Sequence, residues 1–166
     1  LHIDKQTQIN EHIDRLRLAT SAALLSRRDV LIVASVSCIY GIGDPQAWGK
    51  SMVELEVGQV ELRRDMILRK LVQIQYSRND MDLRRGTFRV RGDTLEIFPA
   101  YAETAYRVAM FGDEIERISE FDTITGEILN EHNTVTIFPA KQFVADEDKT
   151  KQALTDIEKE LEEQIK

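Results

Sequence analysis

The sequence has few of the residues from which disulfides and metal sites are built. Among 166 residues there is one cysteine, Cys38, and there are three histidines, His2, His12 and His132. A single cysteine excludes an internal disulfide, and histidines this far apart lack metal-ligand spacing. We therefore predict no metal site, and we expect Cys38 to be a small buried residue.

Long hydrophobic runs are also missing. No apolar stretch approaches the roughly 20 residues that a membrane-spanning helix needs, and no signal segment opens the chain. We therefore expect a cytoplasmic chain without a membrane partner. Because the first residue is Leu1 rather than Met, and a helical pattern starts within a few residues, we also expect the chain to be part of a longer protein.

The sequence contains no phosphate-binding loop of the form Gly-x-x-x-x-Gly-Lys-Ser/Thr. Its acidic pairs do not indicate an active site either. Asp80 and Asp82 lie among arginines and suit a loop, while Asp113, Glu114 and Glu116 suit a hairpin turn. We therefore predict that this chain has no catalytic residues, no bound cofactor and no enzyme activity of its own.

Positive charge is scarce overall but locally concentrated. The formal net charge is −7 and the pI is near 5.1, which argues against general binding to a phosphate backbone. Residues 146–166 hold eight acids and four lysines, whereas residues 78–91 hold five arginines and two aspartates. Aromatic residues for base stacking are mostly absent from this arginine-rich stretch. The pattern favours docking of a protein over binding of nucleic acid.

A β-hairpin is predicted at the centre of the chain. From Gly86 to Pro99 apolar and polar residues alternate, and Gly92-Asp93 interrupts them with a two-residue turn. The pairs that this turn places opposite each other are Arg91 and Thr94, Val90 and Leu95, Arg89 and Glu96, and Phe88 and Ile97. The apolar members of these pairs form the core face, and the polar members form the other face.

The polar face of this hairpin allows two interpretations. In one, Arg89 and Arg91 are solvated and Glu96 offsets the charge of Arg89. In the other, the arginines form a docking surface, because an arginine held on a rigid strand offers a planar five-donor fork to a partner's carboxylates. Since both arginines point away from the core, we expect that reversing their charge leaves the fold nearly intact.

Periodicity predicts further elements on both sides of the hairpin. Residues 7–28 and 60–76 have helical patterns, residues 29–34 resemble a strand buried in a parallel sheet, and residues 53–57 alternate as a short strand. Three more strands are predicted at 106–111, 114–118 and 134–138, and a helix is predicted within 146–166. The apolar stripe predicted for the first helix is Ile9, Ile13, Leu16, Thr20 and Ala23 or Leu24. The stripe predicted for the second is Leu62, Met66, Ile67, Leu71 and Ile74.

These elements indicate an α+β fold in three sections. Residues 49–145 are predicted to form an inserted domain, an antiparallel β meander with one packed helix. Residues 1–48 are predicted to be a truncated α/β segment, and residues 146–166 a helix that returns to the parent domain.

Three stretches of the sequence, 27–41, 71–80 and 85–99, closely resemble the UvrB family, the B subunits of the bacterial excinuclease ABC. The likeness runs over essentially the whole chain. It implies that residues 49–145 are a UvrA-interaction domain used in nucleotide excision repair, flanked by parts of a helicase-like domain. It also implies that ATP, magnesium and damaged DNA are bound only by the parent protein. A similar module of the transcription-repair coupling factor and a weak nucleic-acid-binding insert are the alternatives.

The resemblance also implies a set of partner-binding residues. In the family, contacts to UvrA involve arginines that match Arg78, Arg89, Arg91 and Arg107, together with an acid two residues after the last of these. This chain has Ala109 at that position. The alternatives are that Glu96 replaces this acid, that Glu116 replaces it, or that nothing does, and Glu96 is included in the predicted site. A second departure is Leu18, where the family commonly has histidine.

Overall fold

The computed structural model describes residues 11–35, 48 and 51–142. The helices are α1 (Glu11–Ser26) and α2 (Arg64–Gln73). The strands are β1 (Val53–Glu56), β2 (Ser77–Arg78), β3 (Thr87–Arg91), β4 (Thr94–Phe98), β5 (Ala105–Phe111), β6 (Glu114–Phe121), β7 (Ile128–His132) and β8 (Thr134–Ile137). Cys38 and the predicted helix within 146–166 lie outside the described residues.

Six strands form one sheet in the order β2-β3-β4-β5-β6-β7. Strands β3 to β7 are a continuous antiparallel meander, and β2 joins its edge in parallel to β3. The α+β fold with a β meander is therefore confirmed. Strands β2 and β7 were not predicted, because β2 has only two residues and β7 is exposed along most of its length.

The strand predicted at 134–138 does not continue the meander. It is β8, which pairs with β1 in a separate two-stranded sheet. The reason is burial, since Val53 and Leu55 of β1 lie opposite Ile137 and Val135, and all four side chains face the core.

The central hairpin has the predicted register at each of its four predicted pairs. Gly92 takes a φ of 58°, a left-handed conformation that glycine adopts without steric cost. Phe88, Leu95 and Ile97 are buried in the main core, and Val90 packs against it. The predicted core face of the hairpin is therefore confirmed.

Helix α2 covers the core face of the sheet through Ile67 and Leu71, which are fully buried. Met66 is 38% exposed, so its place in the predicted stripe is wrong. The helix also begins later than residue 60. Because Gly58 N–H donates to the carbonyl of Ile115, and Ile115 N–H donates to that of Gln59, the preceding backbone is bonded to β6 and not to a helical turn.

The apolar stripe predicted for α1 is wrong. Ile13, Leu16 and Leu24 are each about half exposed, whereas Leu18 and Ala22 are buried against a second cluster that contains Trp48 and Phe138. The rings of Trp48 and Phe138 stack with centroids 5.6 Å apart. They present a flat surface to the helix, and Leu18 and Ala22 fit it because they are one turn apart on one helix face.

The buried strand predicted at 29–34 is not formed. Residues 30–35 have no strand structure, and Leu31 and Val33 are 90% and 93% exposed. A strand buried in a parallel sheet requires neighbouring strands and covering helices. None of the strands in the described part of the chain pairs with this segment. The described helices include none that is long and apolar enough to cross a membrane.

Two adjacent residues of α2 test the core assignment. We expect Leu71→Ala to lower the free energy of unfolding by about 2–5 kcal/mol, because it leaves a cavity in the core. The Val72 side chain is 56% exposed, so Val72→Ala serves as the matched control and should change stability by less than about 0.5 kcal/mol. Urea denaturation measures both values, and equal effects of the two substitutions would contradict the assignment.

Candidate functional site

The sheet face opposite the core carries a cluster of arginines, and we call it the arginine face. Alternation along the strands places the following residues on it: Thr87, Arg89, Arg91, Thr94, Glu96, Phe98, Ala105, Arg107, Ala109, Phe111, Arg117, Ser119, Phe121 and Glu131. Phe98, Ala105 and Phe121 form a small buried cluster at one end of this face. These side chains lie in rows that cross the strands, because residues in register stand beside each other. Four of these residues are arginines, so the face can bind acidic groups.

The middle row of the arginine face is an ion-paired triad of Arg89, Glu96 and Arg107. The three residues are in register on β3, β4 and β5. Arg89 Nε donates to Glu96 Oε2, and Arg107 Nε donates to Glu96 Oε1 over 2.8 Å. Each carboxylate oxygen therefore has its own guanidinium. Only 5% of Glu96 is exposed, so this residue is buried and does not present its carboxylate to a partner.

The environment of Glu96 keeps its carboxylate charged. Burial alone raises the pKa of Glu96, but the hydrogen bonds and charges of Arg89 and Arg107 outweigh it, and the pKa lies below its usual value. Arg107 is held from a second side as well, because its guanidinium lies 4.4 Å from the centre of the Phe121 ring. The triad therefore fixes two guanidinium groups on the sheet surface.

A second row contains Arg91, Thr94, Ala109 and Arg117, which are in register on four successive strands. Arg91 and Arg117 are exposed, and the two residues between them are half-buried. The sequence pattern did not identify Arg117. Between Ala109 and Met110 the register shifts, because Glu116 is an extra residue that forms a β-bulge in β6. Two buried isoleucines three residues apart, Ile115 and Ile118, are the sequence signal that could have indicated this bulge.

Arg78 lies apart from the other predicted site residues. It is in register with Phe88 on the edge strand β2, so it belongs to the opposite side of the pleat from Arg89. Its guanidinium pairs with Asp80 at 2.9 Å, and Asp80 Oδ1 accepts a hydrogen bond from the backbone N–H of Val90. The hydrogen bond from Arg78 and the one from Val90 lower the pKa of Asp80. The structure thus places four of the five predicted site residues, all except Arg78, on the arginine face.

Asp80, Asp82 and Asp113, which the sequence assigned to a loop or a turn, stabilise those segments. Asp80 joins the loop after β2 to β3, and Asp82 pairs with Arg84 within the same loop. Asp113 is in the β5–β6 turn, where its carboxylate accepts a hydrogen bond from the backbone N–H of Arg64. Within residues 11–35, 48 and 51–142, no three or more His, Cys, Asp or Glu side chains are grouped so that they could hold a metal ion.

Comparison with known proteins gives one family. A family model described as the UvrB interaction domain matches residues 53–143. Relatives include UvrABC system protein B of Herpetosiphon aurantiacus, which is 54% identical over 165 residues, and that of Natranaerobius thermophilus, which is 56% identical over 165 residues. UvrABC system protein B of Bacillus subtilis is 55% identical over 165 residues.

These matches cover unequal shares of the two chains. In each case 99% of this chain is aligned, but the aligned part is 24% of the Herpetosiphon protein and 25% of each of the other two. The chain spans about a quarter of the length of the curated relatives that it matches.

The substitution Glu96→Gln tests the charged triad. At pH 7 we expect it to lower the free energy of unfolding by about 2 kcal/mol, since hydrogen bonds to charged groups contribute about 1.5–3 kcal/mol. The folded-state pKa of Glu96 is lowered, so its stabilisation is present above the unfolded pKa of about 4.3 and is lost as the pH falls through the folded pKa. The difference between the parent and the variant should therefore shrink below about pH 4.

Urea denaturation between pH 3 and pH 7 measures this difference. Glu116→Gln is the control, because Glu116 is exposed and forms no ion pair within the described part of the chain. It should match the parent at every pH. A difference between parent and Glu96→Gln that stays constant over this range would argue against a charged Glu96 in the folded state.

The two arginines of β3 should respond differently to charge reversal, which changes the expectation drawn from the sequence. Arg89 is 18% exposed and pairs with the buried Glu96, so Arg89→Glu leaves two facing acids and should cost about 3 kcal/mol of stability. Arg91 is exposed, and Arg91→Glu should cost at most about 0.5 kcal/mol. Thermal denaturation compares the two variants, and equal melting temperatures would show that the triad does not stabilise the sheet.

Proposed function

The chain belongs to the UvrB interaction domain family, and on that basis we propose that it docks UvrB onto UvrA during nucleotide excision repair. The family description names an interaction domain, and the relatives are B proteins of the UvrABC system. A docking role agrees with the chemistry of the arginine face, whose guanidinium groups can bind carboxylates of a protein partner.

The observation that carries this proposal is the way in which the triad orients two arginines. Arg89 and Arg107 each use Nε–H to bind Glu96, and each guanidinium keeps further N–H groups for a partner. Because these side chains are already ordered in the free protein, binding costs less conformational entropy than it would for arginines on a mobile loop. The buried carboxylate thus prepares the surface for docking.

The predicted residues take different roles in this proposal. Arg91 is the exposed contact, and Arg89 and Arg107 contribute through the outer parts of their guanidinium groups. Glu96 is a positioning residue, since it is buried beneath them. Arg78 lies at the sheet edge beside Asp80, where it would extend the contact area around the edge of the sheet.

Two alternatives are less well supported. The relatives described above are all UvrABC system protein B, which favours a UvrB module over the module of a transcription-repair coupling factor. A nucleic-acid-binding insert fits poorly with a net charge of −7, because a chain of this charge repels a phosphate backbone.

The proposal assigns no catalytic step to this chain. Its 166 residues contain no Gly-x-x-x-x-Gly-Lys-Ser/Thr loop to cradle a nucleotide phosphate. We propose that ATP, magnesium and damaged DNA are bound by other parts of the parent UvrB protein, in the cytoplasm, and that this chain contributes the contact with UvrA.

Binding of purified UvrA to the Arg91→Glu variant tests the proposed function. We expect the dissociation constant to rise by about tenfold or more, because the reversal replaces attraction of a partner carboxylate by repulsion. Arg69→Glu is the control, since Arg69 is exposed on α2, which packs on the other face of the sheet. It should bind UvrA as the parent does. Calorimetry measures the affinities, and circular dichroism verifies that each variant is folded.

A folded Arg91→Glu variant that binds UvrA as tightly as the parent would contradict the assignment of the arginine face. Failure of the folded parent chain itself to bind UvrA would contradict the proposed function as a whole.

A further inference from the structure

Arg117 is an exposed arginine to which no role has so far been given. It lies on β6, at the far end of the row that begins with Arg91 on β3. In the part of the chain that the structure describes, neither Arg91 nor Arg117 has a hydrogen bond or an ion pair within 4 Å, although the charge of Arg91 helps to lower the pKa of Asp80. Arg117 stands directly opposite Ala109, whose methyl group offers nothing for it to bind.

This lack of partners distinguishes Arg117 from most arginines of the sheet domain. Arg64, Arg78, Arg84, Arg89 and Arg107 all pair with acids. In a chain with a net charge of −7, acids are abundant enough to pair with an arginine wherever pairing is useful. Two unpaired guanidinium groups in one row are therefore available to carboxylates from outside the domain.

The row from Arg91 to Arg117 has dimensions that suit a peptide segment lying across the strands. Strand neighbours are about 4.8 Å apart, so Arg91 and Arg117 stand roughly 14 Å apart across three strand spacings. Between them are Thr94 and Ala109, which are small and leave room above the sheet. Phe111 follows Ala109 on the same face and is 75% exposed. Arginine and exposed aromatic residues are typical of the energetically dominant part of a protein interface.

We propose that Arg117 is a further docking residue, and that the row from Arg91 to Arg117 receives an acidic segment of UvrA. A carboxylate of this segment binds at each end of the row, and an apolar side chain covers Phe111. This inference rests on the proposed function, because it names the chemistry of the partner at the same face.

Charge around the row favours a protein segment over nucleic acid. The exposed acids that border the row are Asp93, Asp113, Glu114, Glu116 and Glu131. A phosphate backbone carries closely and evenly spaced negative charges, and these acids would repel the phosphates on both sides of the row. A segment with two separate carboxylates places negative charge only at the two arginines.

The experiment compares UvrA binding of Arg117→Ser and Arg117→Glu with that of the parent at two salt concentrations. We expect Arg117→Ser to weaken binding by about fivefold and Arg117→Glu by more than tenfold, with a smaller salt effect in the serine variant because one ionic contact is lost. Arg91→Ser is the reference for the end of the row that the proposed function already assigns to UvrA, and Arg69→Ser is the control. Because the Arg117 side chain is exposed and has no hydrogen bond or ion pair within the described residues, both of its variants should melt like the parent.

The outcomes separate the two proposals. If Arg91→Ser weakens binding while both variants of Arg117 bind as the parent does, the inference on Arg117 is wrong and the proposed function stands. If none of the three variants weakens binding, the arginine face is not the docking site. If Arg117→Ser instead abolishes binding of a labelled 20-base-pair DNA duplex and leaves UvrA binding unchanged, the row is a nucleic-acid contact and the acidic-segment proposal fails.

Discussion

Glu96 is buried between two arginines, and the whole arginine face depends on that interaction. A single buried carboxylate would be costly, but here each oxygen accepts a hydrogen bond from a different guanidinium. The same contacts tie β3, β4 and β5 together on the face opposite the main hydrophobic core. Stability and the proposed docking are therefore linked, because Arg89 and Arg107 both hold the sheet together and belong to the proposed docking surface.

This linkage divides the arginines into two groups. Arg89 and Arg107 form ion pairs with Glu96, so their substitution changes the stability of the sheet as well as its surface. Arg91 and Arg117 form no ion pair with Glu96. Changes in binding affinity on their substitution therefore report on docking and not on the stability of the sheet. Mutational studies that treat all four arginines alike would mix loss of structure with loss of contact.

The bulge in β6 decides which residues share the arginine face. If β6 continued without a bulge from the Met110–Ile115 pair, Glu116 would lie beside Ala109, and Arg117 would lie beside Val108 on the core face. The bulge also keeps Ile115 and Ile118 in the core although they are three residues apart. A local irregularity in one strand thus places a cation at the end of the second row while it preserves core packing.

The sequence by itself determined the central hairpin, its register and the α+β class, because alternation and a glycine turn are local properties. It also indicated that Arg89 stands opposite Glu96. Only the tertiary structure decided the burial of Glu96, since Arg107 comes from a strand whose register depends on packing. The same is true of the buried face of α1, which is set by Trp48 and Phe138, residues distant in sequence. Short-range patterns specify elements, whereas the choice between two possible helix faces requires knowledge of what each face contacts.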